Sequence, residues 1–195
     1  MEPVSASDQQ TRRCADGDSA LTLREPHPDD GPGVFDLIAR CPPLDPNSRY
    51  CNLLQCSHFA ATSIIAAADA GADAGEHAVV GFISGYRMPA RPDTLFVWQV
   101  AVDAAARGLG LGSRLLTGLL ARPALADIRF LETTIGPDNR ASWALFERLA
   151  ERLSAAVATT TLFASQRHFG GRHPDEILCR IGPFNSAAVG AARCS

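Results

Sequence analysis

Residues 100–112, VAVDAAARGLGLG, join the end of an apolar run to a loop with glycine at 108, 110 and 112, and the way this stretch folds decides the rest of the chain. Upstream, residues 94–103 (TLFVWQVAVD) are too rich in apolar and β-branched side chains to keep one face wet, which predicts a strand in the middle of a sheet. Downstream, residues 113–121 carry leucines at helical spacing. A glycine-rich turn between a buried strand and a helix lets successive backbone N–H groups converge, because no Cβ blocks a close approach, and the positive end of the helix adds to them. Arg107, Gly108, Leu109, Gly110, Leu111 and Gly112, spaced R-x-x-G-x-G, thus form a candidate phosphate cradle. The Lys-Ser/Thr pair of a Walker loop is missing, and so is the G-x-G-x-x-G spacing of dinucleotide folds.

Outward from this stretch, the pattern alternates. Residues 21–24 predict a short strand. Asp29 and Asp30 predict a cap for a helix through Val34, Leu37 and Ile38 that ends at Cys41-Pro42-Pro43. A second helix is expected from Asn47 and Ser48 to Phe59. Residues 63–68 and 78–87 read as antiparallel strands joined by a small-residue loop at 69–76. Beyond the glycine loop come a strand at 128–135, a helix at 139–153, a strand at 157–163, a Gly170-Gly171 loop and a last strand at 177–181.

The 195 residues, 46% hydrophobic and 20% charged, suit one domain. We expect it over residues 21–183, with a disordered polar extension at 1–20 and a flexible tail at 184–195. A net charge of −3 argues against nucleic acid and anionic membranes as partners and favours a small molecule. All 18 basic residues are arginine, so a lysine base and Schiff-base chemistry are excluded. The six cysteines lack C-x-x-C or Cys/His spacing, so the expectation is reduced thiols in a cytoplasmic protein with no metal site. The start lacks the apolar run of a secretory signal, and no apolar stretch is long enough to span a bilayer.

The glycine loop, with Val100 and Val102 before it, resembles the [RQ]-x-x-G-x-[GA] signature of the GNAT superfamily of N-acetyltransferases. Residues 135–146, IGPDNRASWALF, resemble that superfamily's next strand-to-helix segment. The resemblance implies an α/β (α+β) fold: a mixed, mostly antiparallel sheet of six to seven strands, splayed between strands 4 and 5 and flanked by helices. It also implies acetyl-CoA as co-substrate. The amides of residues 109–112 would hold the pyrophosphate, the Val100 and Val102 backbone the pantetheine arm, and Asn139 the thiol region; Asn139 also suits a helix cap. Residues 41–59, 91–102, 130–139 and 171–183 are similar to a narrower branch. Its members acetylate the terminal amine of the diamine substrate 2,4-diaminobutyrate in ectoine biosynthesis and form homodimers. The departures are the polar start, an insertion near residues 70–76, and a missing proline after Phe169.

A diamino acid needs a pocket of mixed charge. Asp45 and Glu176 are candidates for its ammonium groups, Tyr50 and Ser48 for its carboxylate, and Trp98 for its methylenes, with Thr134 and His173 completing the set. Core packing for Trp98, a helix cap for Asp45 and a solvated loop for His173 and Glu176 are the alternative roles. The reactive amine must be neutral, and an alkyl ammonium titrates near 10.4, so at neutral pH deprotonation costs about 4–5 kcal/mol. Glu132, on the same strand face as Thr134, is the first candidate base, acting through water; Glu176 is the second. A backbone N–H of the 100–102 strand would polarise the acetyl carbonyl. Phe146 stands where many superfamily members carry a tyrosine that protonates the leaving thiolate, so Tyr50 or His58 is a candidate acid, with a core or surface role the alternative for His58, although a thiolate also leaves unaided. Another small amine as acceptor, or a non-catalytic CoA-binding module, stays open at this point.

Overall fold

The computed structural model describes residues 21–68 and 78–185. The strands are β1 (Leu21–Arg24), β2 (Ile64–Ala68), β3 (Ala78–Met88), β4 (Arg91–Val102), β5 (Phe130–Ile135), β6 (Val157–Phe163) and β7 (Glu176–Ile181). The helices are α1 (Gly31–Ala39), α2 (Arg49–Ser57), α3 (Leu111–Leu120), α4 (Arg140–Arg152) and α5 (Ser165–Phe169). All seven strands join one sheet in the order β1-β2-β3-β4-β5-β7-β6, which puts β4 in the middle, as its apolar composition predicts.

Every neighbouring pair is antiparallel except β4–β5, which is parallel. That pairing spans only Thr94↔Phe130, Leu95↔Leu131 and Phe96↔Glu132. Beyond Phe96 and Glu132 the two strands no longer pair, which is the expected splay. Helices cover the sheet on two sides. Leu111, Leu115 and Leu119 of α3 and Phe146 and Leu149 of α4 pack with Leu95, Val97, Leu131 and Ile135. On the other face, Val34, Leu37 and Ile38 of α1 and Cys56 of α2 pack with Ile65, Phe82 and Ala101. Full burial of one such aliphatic side chain contributes about 1.5–3 kcal/mol.

A β-bulge in β4 changes which residues face the core. Ser84 pairs with Gln99 and Gly85 with Val97, so Trp98 is the extra residue. Leu95 and Val97 belong to the α3/α4 core before the bulge, and after it Val100 and Val102 pack against that core while Ala101 joins the opposite one. Gly85 permits the bulge, since a Cβ there would lie 2.7 Å from the Phe96 carbonyl oxygen. Trp98 is consequently 47% exposed, and core packing is not its role.

Local chemistry sets the helix starts. Ser48 caps α2 by accepting from the Cys51 N–H at 3.1 Å, and Asn139 caps α4 by accepting from the Ser142 N–H at 3.1 Å. Asp30 behaves differently from the expected helix cap: it accepts from the His27 N–H and pairs with Arg24 at 2.7 Å, closing a 3₁₀ turn ahead of α1. Helix α2 stops at Ser57, short of Phe59, because His58 ends it. Helix α5 lies in a stretch whose sequence suggested only loop. The folded part runs past Pro183, for Phe184 is buried in the α3/α4 core and its N–H donates to the Arg129 carbonyl, so the expected tail boundary at 184 is too early. The predicted extension at 1–20, the loop at 69–76 and the end at 186–195 lie outside the described residues, apart from Phe184 and Asn185 of the expected tail.

Candidate active site

Where β4 and β5 part, α3 presents its N-terminus. Gly110 is the N-cap residue, in a left-handed conformation with φ of 74°, and no side chain caps the helix. Gly108 shares that conformation with φ of 78°, and a Cβ built at either glycine meets nothing within 4 Å. The space in front of the first-turn amides of Leu111, Gly112 and Ser113 is therefore open backbone, the donor set and shape that a pyrophosphate needs. A Cβ built at Gly112 would lie 3.4 Å from Leu145 of α4, an ordinary packing distance. The Arg107 Nε donates to the Val102 carbonyl at 3.0 Å and ties the loop to the end of β4. Leu109 is 65% exposed at the loop's tip. Val100 and Val102 lie in the part of β4 that β5 does not pair; the Val102 carbonyl accepts from Arg107 Nε and Cys41 Sγ, which leaves the Val100 backbone groups and the Val102 N–H as the ones a ligand could use. Asn139 spends its side-chain oxygen on the α4 cap, and its amide N–H groups stay available.

The opposite wall of the splay is built from the segment before α2. Gln99, buried in β4, donates through Nε2 to the Asp45 carbonyl at 3.2 Å and accepts at Oε1 from Asn47 Nδ2 at 2.9 Å. This strap holds the 45–48 segment against β4 beside exposed Trp98. Asp45, whose alternative role was a helix cap, is exposed, and Ser48 does the capping instead. Tyr50, in the first turn of α2, is 70% exposed. Sequence reasoning missed Gln99 and Asn47; the available signal was a lone amide inside an apolar strand.

The third wall comes from β5 and β7. Their register pairs Glu132 with Arg180 and Thr134 with Leu178, so Glu132, Thr134, Leu178 and Arg180 share a face. Glu176 opens β7 near the splayed end of β5. His173 stands 3.8 Å from Glu176, its ring lies 4.7 Å from that of Phe169, and its Nδ1 contacts the Pro174 carbonyl at 2.9 Å. Asp175 accepts from the Ser165 N–H at 2.6 Å, which pins the β6–β7 connection carrying His173 and Glu176.

The two candidate bases differ in surroundings. Glu132 is buried and accepts from both terminal nitrogens of Arg91, at 2.6 and 2.7 Å, and also from Arg180. Burial alone would raise its carboxyl, but the hydrogen bonds and charges of the two arginines outweigh that and hold it below the ordinary carboxylate range. A carboxylate so engaged is a weak proton acceptor. Glu176 carries no such bidentate partner among the described residues and lies beside His173. Phe146 is buried in the α3/α4 core and has no proton to give.

A sheet that opens between parallel central strands, with an uncapped glycine-led helix on one side and a strapped polar segment on the other, defines an acetyl-CoA-dependent acetyltransferase. The chain belongs to the acetyltransferase (GNAT) family, whose model matches residues 32–150. Within that family it is similar to the L-2,4-diaminobutyric acid acetyltransferase of Methylotuvimicrobium alcaliphilum, 52% identical over 166 residues that cover 85% of this chain and 92% of that protein. The enzyme of the same name from Halomonas elongata is 46% identical over 171 residues, covering 88% of this chain and 85% of that one. Among solved structures, diaminobutyrate acetyltransferase EctA from Paenibacillus lautus, in complex with its substrate L-2,4-diaminobutyric acid and coenzyme A, matches with a TM-score of 0.78 and 40% identity. That match covers 86% of this chain and 97% of that one.

Proposed function

We propose that this protein transfers the acetyl group of acetyl-CoA to the 4-amino group of L-2,4-diaminobutyrate, giving N4-acetyl-diaminobutyrate, the acetylation step of ectoine biosynthesis. The observation that carries this reading is the β4–β5 splay, which opens directly onto the uncapped α3 amides and onto Trp98 and the Gln99-strapped Asp45 segment. Identity of 52% to a diaminobutyric acid acetyltransferase along nearly all of that protein supports the substrate.

Acetyl-CoA supplies an activated acyl carbon. The Leu111–Ser113 amides hold its pyrophosphate, and the unpaired β4 backbone at Val100 and Val102 aligns the pantetheine arm. A β4 N–H donates to the thioester carbonyl oxygen and stabilises the charge that grows there on attack. Asp45 and Glu176 receive the ammonium groups of the substrate, Trp98 covers its methylenes, and Tyr50, Ser48 and Thr134 offer hydroxyl groups. Glu176, with His173 beside it, accepts the proton of the 4-ammonium; Glu132 stays an anion bound to its arginines. Tyr50 is the candidate donor for the departing thiolate, which also leaves unprotonated given a free thiol pKa near 8.5.

We also read the protein as a cytoplasmic homodimer. No helix among the described residues is long and apolar enough to cross a membrane. Edge strand β6 is exposed along its whole length and includes Val157, Leu162 and Phe163, which supports a second copy there. Light scattering coupled to gel filtration checks that state. The function is tested by thiol release from acetyl-CoA with diaminobutyrate, ornithine, lysine and a short peptide, with mass spectrometry locating the acetyl group. Thiol release fastest with diaminobutyrate and acetyl on the 4-nitrogen is expected; tight acetyl-CoA binding with no release for any amine would leave a CoA-binding module.

A further inference from the structure

Glu176 is the first residue of β7, and its cross-strand partner is Phe163, the last residue of edge strand β6. That pairing depends on an irregularity in β6. Thr161 pairs with Ile177 and Phe163 with Glu176, so Leu162 is an extra residue; without the bulge Leu162 itself would stand opposite Glu176. The Phe163 ring, 43% exposed, meets the Phe169 ring edge-on with centroids 6.3 Å apart. Phe169 in turn packs on the His173 ring at 4.7 Å, and His173 Nε2 stands 3.8 Å from a Glu176 carboxylate oxygen. Contact thus runs from Glu176 across the strand pair to Phe163, and back through Phe169 and His173 to the Glu176 carboxylate.

The backbone fixes Phe169 from both sides. It is the last residue of α5, and at the start of that helix the Ser165 N–H donates to Asp175 at 2.6 Å, next to Glu176 in the chain. After Phe169, Gly170 and Gly171 take left-handed φ values of 60° and 74°, and the Gly171 N–H donates to the Ser165 carbonyl at 3.0 Å. This reversal carries the chain back and sets His173 on the Phe169 ring. His173 Nδ1 lies 2.9 Å from the Pro174 carbonyl, so the imidazole is held at its edge as well as on its face. Among the described residues, His173 is the ion-pair partner of Glu176. A carboxylate that takes a proton from an amine has to lie within hydrogen-bond reach of it, and a misplacement of about 1 Å can cost about 100-fold in rate.

Resting on the assignment of Glu176 as proton acceptor made above, we infer that Phe169 is a positioning residue for the reaction. It holds His173 and, through it, the Glu176 carboxylate in the orientation that accepts the amine proton, with Phe163 as the ring behind it. An aromatic side chain suits the task because edge-on and tilted ring contacts are directional, whereas an aliphatic one fills volume without fixing an angle.

Steady-state kinetics on the full-length protein test this with Phe169→Ala, Phe169→Tyr and Phe169→Ala combined with Glu176→Gln. In Phe169→Ala, kcat with diaminobutyrate falls about 30-fold while the KM for acetyl-CoA stays within about twofold. Phe169→Tyr, which keeps the ring, stays within about threefold of wild type. In the Glu176→Gln background, where the positioned group is gone, adding Phe169→Ala lowers kcat by no more than about twofold. A further drop of about 30-fold in that background means that Phe169 supports the fold without acting on Glu176, and an unchanged kcat in Phe169→Ala means that the carboxylate is placed without it; either result overturns the inference. Full turnover by Glu176→Gln alone would instead overturn the assignment of Glu176 beneath it, and wild-type protein that releases no thiol with diaminobutyrate would overturn the substrate reading itself.

Discussion

Replacing Glu132 by glutamine separates its structural anchoring from a role as proton acceptor. The substitution keeps the shape and one hydrogen-bond acceptor but deletes the negative charge between Arg91 and Arg180. Breaking a fully buried ion pair costs about 3–5 kcal/mol, and here the arginines are partly exposed and regain water, which reduces the expected loss to about 1–2 kcal/mol. For a domain of this size each kcal/mol lowers Tm by about 2–4 °C, so Glu132→Gln should melt about 3–8 °C below wild type at neutral pH. The pH dependence has a definite sign. The folded carboxyl is held below its ordinary value, so its contribution is complete above the unfolded pKa of about 4.3 and disappears as pH falls through the lower folded value. The gap in Tm between the two proteins should therefore close in acid. Differential scanning calorimetry from neutral pH down to about pH 3 measures it, and an unchanged Tm at neutral pH, or a gap that persists in acid, refutes the anchoring account. Kinetics on the same variant give an independent check. Loss of a general base lowers kcat by about 10²–10⁴-fold, whereas loss of an anchor leaves kcat within about tenfold.

Glu176→Gln should lower kcat by about 100-fold or more with the acetyl-CoA KM unchanged, and steady-state kinetics that show full turnover would remove Glu176 as the base. Gly110→Val places a branched side chain in the open space before the α3 amides at φ of 74°; calorimetry should find acetyl-CoA affinity reduced at least about 30-fold, with a melting temperature lowered by only a few degrees. Asp45→Ala and Gln99→Leu act on the same strapped segment, one by removing a charge and the other by removing the strap; each should raise the diaminobutyrate KM without changing acetyl-CoA affinity, and an unaltered KM for both would deny that segment a part in the site. Burial pushes the Cys56 and Cys179 thiols up to about 12 and about 11, so peptide mapping after iodoacetamide treatment at mildly alkaline pH should find both unlabelled in native protein and labelled once it is unfolded.

Much of the architecture was legible because it is written in short-range physics. The uninterrupted apolar run through β4 demands burial on both faces, the glycines at 108 and 110 permit left-handed backbone, and Ser48 and Asn139 cap the helices that follow them. Each of these depends on residues only a few positions apart, so a linear reading finds them. Other features depend on partners brought together from distant parts of the chain. The bulge that turns Trp98 outward needs Gly85 on the neighbouring strand, and the strap on the Asp45 segment joins residues 45, 47 and 99.

The sequence by itself determined the glycine loop before α3, the order of strands and helices around it, and the set of polar residues proposed for a diamine pocket. Tertiary structure alone decided what those polar residues do. Alternation placed Glu132 on the correct face, but its proton affinity depends on Arg91 from β4 and Arg180 from β7, separated from it by 41 and 48 positions. Two guanidinium groups meeting one buried carboxylate convert a candidate base into an anchor. An electrostatic environment is a sum over charges near in space, and chain distance does not report those.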